Sequence, residues 1–271
     1  MTATTFALNR PEGHARASGS LHSEWTKLRT VRSTVWTLVT LVAASIGVGI
    51  IACAETASHW ATMSLSDKVG YDPTNLSLSG LALGQIAIGV LGVLIITAEY
   101  STGTIRATLA AVPNRPLVLA SKGAVFGGVA LLVGEVVSFV AFLTGQSLLS
   151  GQAPHAALSQ PGVLQAVVLA GVYVAGIGLV AMGLGAIIRH TAGAISALVG
   201  LVFIVPLILQ AFPSSIKNSV SQYFPSDVGS AMASVHRQAH ELSPLAALAV
   251  LCAYVVVALG IGAWLMVRRD A

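Results

Sequence analysis

Hydrophobic residues make up 55% of the 271 positions and charged residues only 9%, more apolar surface than a soluble domain of this length can bury. A mean hydropathy of +0.83 points the same way, so bulk water is excluded as the main solvent. The net charge of +4 does not argue for nucleic acid, because the basic residues sit beside the ends of apolar runs, where they set orientation.

The reading is therefore an all-α, polytopic membrane protein. Residues 1–19 are small, polar and basic, and are expected to form a disordered tail with no cleavable leader. Over 20–32, Leu21, Trp25, Leu28 and Val31 recur at near-helical spacing with Glu24, Lys27 and Thr30 between them. That spacing predicts an amphipathic helix lying in the headgroup layer with Trp25 as its anchor. A hydrocarbon core of about 30 Å needs roughly 20 helical residues. Windows of that length predict six spans over 33–54, 78–98, 123–149, 163–188, 192–212 and 244–267. Arg10, Arg16, Lys27, Arg29 and Arg32 precede the first span, Arg106, Arg115 and Lys122 follow the second, Arg189 follows the fourth, and Arg268 and Arg269 end the chain. Only Lys68, Lys217 and Arg237 lie in the alternate gaps, so both termini are expected in the cytoplasm.

Between the spans, the stretch from Glu99 to Leu109 is the most suggestive. Gly103 permits a tight turn, and Ile105, Leu109 and Val112 form one apolar stripe until Pro113 stops the helix. So short a helix must dock, either on the chain's own spans or on a soluble partner. The half-apolar gap 213–243 is expected to fold back into the opposite interface as short helices. Its His236 and His240 have a metal-compatible spacing without a third ligand. Cys53 and Cys252 fall at different depths of their spans, which opposes a disulfide. Glu135, within the third span, must be neutral, paired or beside water. It reads either as a hydrogen-bonded helix contact or as a substrate or proton site. Glycines mark spans three and four as tight-packing elements, and Pro206 predicts a kink in span five. No GxxxxGK[ST] phosphate loop occurs.

Four segments in order resemble the ABC-2 type transporter permeases, in particular those of actinobacteria. They are Ser23-Glu-Trp-Thr-Lys-Leu-Arg-Thr-Val-Arg-Ser33, Glu99-Tyr-Ser-Thr-Gly-Thr-Ile-Arg-Ala-Thr-Leu109 with Val112-Pro-Asn-Arg115, Arg189-His-Thr-Ala-Gly-Ala194, and Tyr223-Phe-Pro-Ser-Asp-Val-Gly-Ser-Ala231. The resemblance implies a six-span domain over 20–271 in a bacterial plasma membrane. It further implies a coupling loop at 99–122, a re-entrant outer loop at 213–243, and a second permease chain, identical or different. A separate ABC ATPase would bind the ATP and magnesium, leaving this chain no cofactor and no catalytic role. ATPase contact would map to Glu24, Lys27, Arg29, Glu99, Gly103, Ile105, Arg106 and Leu109. With spans two and five lining the path, Gln85, Phe203, Pro206 and Gln210 become the residues that would meet an amphiphilic cargo. A scaffold or sensor that moves nothing, and a proton-coupled carrier built on Glu135, are the alternatives.

Overall fold

The computed structural model describes residues 17–30, 32–112, 114–236 and 241–269; Val31, Pro113 and His240 lie outside them, as does most of the expected tail. Every regular element among the described residues is helical. Helix α1 (Ala17–Thr30) begins inside the stretch expected to be a tail. The candidate spans are Thr34–Thr62, Pro73–Ser101, Arg115–Leu149, Val163–Ile188, Thr191–Leu209 and Pro244–Arg268. Their order matches the expectation from sequence. The lengths differ where polar residues were taken for borders.

The first span is carried by α2 (Arg32–His59), followed by the short α3 (Leu65–Val69). The second is in two parts, α4 (Pro73–Leu78) and α5 (Leu81–Ser101). The joint lies at Ser79 and Gly80, where a side chain on Gly80 would run into the Ser45 backbone of α2. After α6 (Thr104–Ala111), the third span α7 (Arg115–Leu149) starts well before the expected border and takes Lys122 inside the helix. Its first turn is closed by the Asn114 side chain, which accepts from the Leu117 N–H.

Helix α8 (Val163–Ile188) is the hub, packing most extensively on α5, α7 and α13 (Pro244–Arg268). Of its most apolar window 78% is buried, against 17% for the fifth span. Bare backbone makes this possible. A side chain on Gly92 would collide with the Gly178 carbonyl, one on Gly134 would come within 2.7 Å of the Gly171 carbonyl oxygen, and one on Gly183 would meet Ala258. The glycine argument for spans three and four therefore extends to two and six.

The fifth span runs as α9 (Thr191–Val199), a π-helical stretch over Gly200–Ile204, and α10 (Val205–Leu209). Pro206 donates no N–H, and the chain meets that loss by widening the preceding turn. At the end opposite the termini, the chain forms the short helices α11 (Ser214–Val220) and α12 (Pro225–Ala233). Val228 and Met232 of α12 are fully buried against α8 and α13, so this segment is part of the core. Both cysteines are free, Cys53 buried and Cys252 exposed.

Candidate functional site

Helix α1 turns an unexpected face to the bundle. Leu21 and Trp25 are exposed, while Glu24 is 7% exposed and points inward. Lys122 of α7, only 2% exposed, donates to Glu24 Oε2 at 2.6 Å and to Glu99 Oε1 at 2.6 Å. Lys27 closes the ring, donating to Glu24 Oε1 at 3.0 Å and to Glu99 Oε1 at 2.8 Å. Two carboxylates and two ammoniums thus lock α1 to α5 and α7 with no net charge. Burial alone would lower the Lys27 pKa, but its hydrogen bonds to Glu99 and Glu24, reinforced by their charges, raise it above the ordinary lysine range. Such a ring is strong as a whole and intolerant of losing one member, since a buried unpaired charge is left behind.

The same end of the bundle carries the arginines that follow spans two and four. Arg115 Nη1 donates to the Met266 carbonyl at 2.7 Å and to that of Arg269 at 3.1 Å, and Arg189 Nη2 donates to Leu265 at 3.2 Å. They close the last turn of α13, where free carbonyls and the helix dipole favour cations. Arg189 takes a left-handed conformation, φ 60°, at the end of α8, and its guanidinium lies 5.0 Å from the centre of the Tyr100 ring.

Helix α6 rises from Gly103, whose φ of +72° only glycine adopts without strain. Ile105, expected on the partner-facing stripe, is 3% exposed and belongs to the protein's own core, with Leu109 packed against it. The stripe is therefore covered by this chain. What α6 leaves open is Thr104, Arg106, Ala107, Ala110 and Ala111. On α1, Arg29 and Trp25 are exposed in the same way, whereas Glu24 and Glu99 have their carboxylates turned inward.

At the opposite end, the four residues expected to meet cargo divide between two neighbouring cavities. Gln85 and Phe203 line one of 170 Å³, and Pro206 and Gln210 line another of 310 Å³ with Lys217, Asp227 and Glu241; Ser230 borders both. Gln85, 4% exposed, accepts from the Tyr173 hydroxyl at 2.5 Å and donates to the Ala82 carbonyl. Burial chiefly, then the charge of Glu241, push the Asp227 carboxyl above the usual range, against the pull of Lys217. Asp72 ties this end together. Its Oδ1 caps α4 through the Thr74 and Asn75 N–H groups, and its Oδ2 accepts from Val235 at 2.9 Å and His236 at 3.3 Å.

Glu135 stands apart from both sites. Its carboxyl rests on the bare backbone of Gly171, and among the described residues no donor reaches it; Ser138 bonds the Glu135 main-chain carbonyl instead. The hydrogen-bonded helix contact considered for it is absent among the described residues.

The family profile described as ABC-2 family transporter protein matches residues 20–220, from α1 to the end of α11. The chain belongs to the ABC-2 transporter family. No curated protein sequence matches it. An ABC-2 membrane protein is a permease and works with an ABC ATPase. The ion ring and the open face of α6 share the basic end of the bundle. Sequence reasoning placed Glu24, Lys27 and Glu99 there but treated Lys122 as a span border. The signal that could have found it is a lone lysine followed by an apolar run with no polar spacer.

Proposed function

We propose that this permease is the membrane half of an ABC exporter. With a second permease chain, identical or different, and separate ATPases that bind ATP and magnesium, it forms a path for an amphiphilic small molecule, lipid or peptide. Its termini lie in the cytoplasm of a bacterial cell.

The ion ring carries this reading. It fastens α1, the helix nearest the expected motor, to α5 through Lys27 and Glu99 at 2.8 Å and to α7 through Glu24 and Lys122 at 2.6 Å, while Lys122 and Glu99 at 2.6 Å tie α5 to α7. A push on α1 or α6 then moves spans two and three as one body, and closure of two ATPases rocks these spans between states. Arg106 and the alanine face of α6, with Arg29 of α1, make the contact. Ile105, Leu109, Glu24, Lys27 and Glu99 hold those helices in place, and Gly103 sets the turn between them. At the far end, Gln85 and Phe203 meet the cargo first, and Pro206 and Gln210 line its exit.

Replacing Arg106 with Glu should strip the ATPase from the purified permease without altering the permease's thermal unfolding. Retained ATPase would remove α6 from the contact. In liposomes holding both subunits, hydrolysis stimulated by a cargo together with its vectorial release is the expected result; nucleotide turnover that moves none of a broad amphiphile panel would favour a scaffold.

A further inference from the structure

On the outer side of the hub, α7, α8 and α13 enclose a groove of 440 Å³. Ala124, Gly128 and Leu131 of α7, Val172 of α8, and Leu251 and Val255 of α13 line it, and no lining residue carries a charge, a hydroxyl or an amide. The spacing 124, 128, 131 continues along α7 to 135, so Glu135 falls on the same stripe, one turn beyond Leu131. On α8, Val172 follows Gly171, on whose bare backbone the Glu135 carboxyl rests; a side chain on Gly171 would come within 2.7 Å of that carboxyl. The carboxyl therefore stands at the end of the groove. Glu135 is half-buried, and neither of its carboxyl oxygens is sealed from its surroundings as Glu99 Oε2 is. From Gly123 to Leu149 of α7, throughout α8, and from Pro244 to Val267 of α13, it is the one Asp, Glu, Lys or Arg.

We propose that this groove binds a lipophilic amine, one amino group on an apolar body, with the protonated nitrogen donating to Glu135. Charge complementarity selects the occupant. An ionised carboxylate alone in hydrocarbon is costly, and an ammonium beside it leaves the site without net charge. An alcohol leaves that charge unbalanced, and a fatty acid adds a second carboxyl. A phospholipid would bring its phosphate beside the carboxylate, on stretches that hold no Lys or Arg to pair it. The size agrees, since 440 Å³ holds roughly a dozen carbons at about the 30 Å³ that one water occupies in the liquid. Along α7 the lining from Gly123 to Leu131 covers about 12 Å at 1.5 Å per residue. This goes beyond the proposed function, and the site binds whether or not the amine is itself moved.

The probe is dodecylamine with a photoactivatable group in its chain, present at trace level in phosphatidylcholine liposomes containing the full-length permease. Adducts mapped by mass spectrometry should favour Leu131, Val172 and Leu251 over the exposed Val39 and Ile51 of α2 by roughly tenfold, the effect of one hydrogen bond to a charged group. Unlabelled dodecylamine should compete; dodecanol and dodecanoate should not. Glu135→Gln, which keeps the shape and removes the charge, should abolish the preference. So should Gly128→Phe, which fills the groove from a position where an added Cβ meets nothing within 4 Å. Adducts no denser in the groove than on α2, as when lipid tails or a partner's helix fill it, would overturn the proposal. Equal competition by the alcohol or the acid, or a preference that survives either substitution, would do the same.

Discussion

Lys122 is the residue on which the basic end turns. Its ammonium is held by two carboxylates from separate helices, so Lys122→Met leaves Glu24 and Glu99 facing one another with only the half-exposed Lys27 between them. The expected cost is about 3–5 kcal/mol, seen as a lower unfolding midpoint in detergent, and Glu24→Gln in the same chain should restore part of it. No reading of the sequence finds this pair, because Glu24 is 98 positions from Lys122 and hydropathy takes a lysine for a border. Asp227 gives the opposite case. The fold holds its proton more tightly than the unfolded chain does, so stability falls as pH rises from the ordinary aspartate pKa to the raised value and stays lower above it. Asp227→Asn should therefore raise the midpoint at pH 7 and flatten its dependence across the acidic range, read by thermal scans at several pH values.

Helix α6 has an amphipathic pattern whose partner the sequence leaves open, because a short apolar stripe fits a foreign groove and a neighbouring span equally well. Ile105 at 3% exposed decides for the chain's own spans. Ile105→Asp should accordingly lower the folded yield of the permease when it is expressed without any ATPase, whereas Arg106→Glu should not. The number and order of the spans were legible from apolar length alone. The break between α4 and α5 was not, since it depends on Gly80 meeting Ser45 of another helix. Pro206 was legible as a disturbance, but the π-helical turn that absorbs it was not.

For the whole molecule, we propose from the alternation of basic gaps that the termini and α6 lie on one side of the membrane, with α11 and α12 on the other. Thiol labelling of intact cells checks this arrangement. In a chain with Cys53 and Cys252 replaced by alanine, a cysteine at the exposed Ala107 should react only after the cells are opened, and one at the exposed Ser215 beforehand. The packing hierarchy was only half legible. Glycines announce close approach without saying to what, and the centrality of α8 emerges once Gly92, Gly134 and Gly183 are seen against their neighbours.

The burial of Lys122 also sets how this end responds to ionic strength. At physiological salt, counterions screen exposed charges beyond about 8 Å and reach a buried pair far less. Concentrated electrolyte would then detach whatever is held through Arg106 while leaving α1 clasped to the spans. One side of a single joint loosens in brine and the other does not.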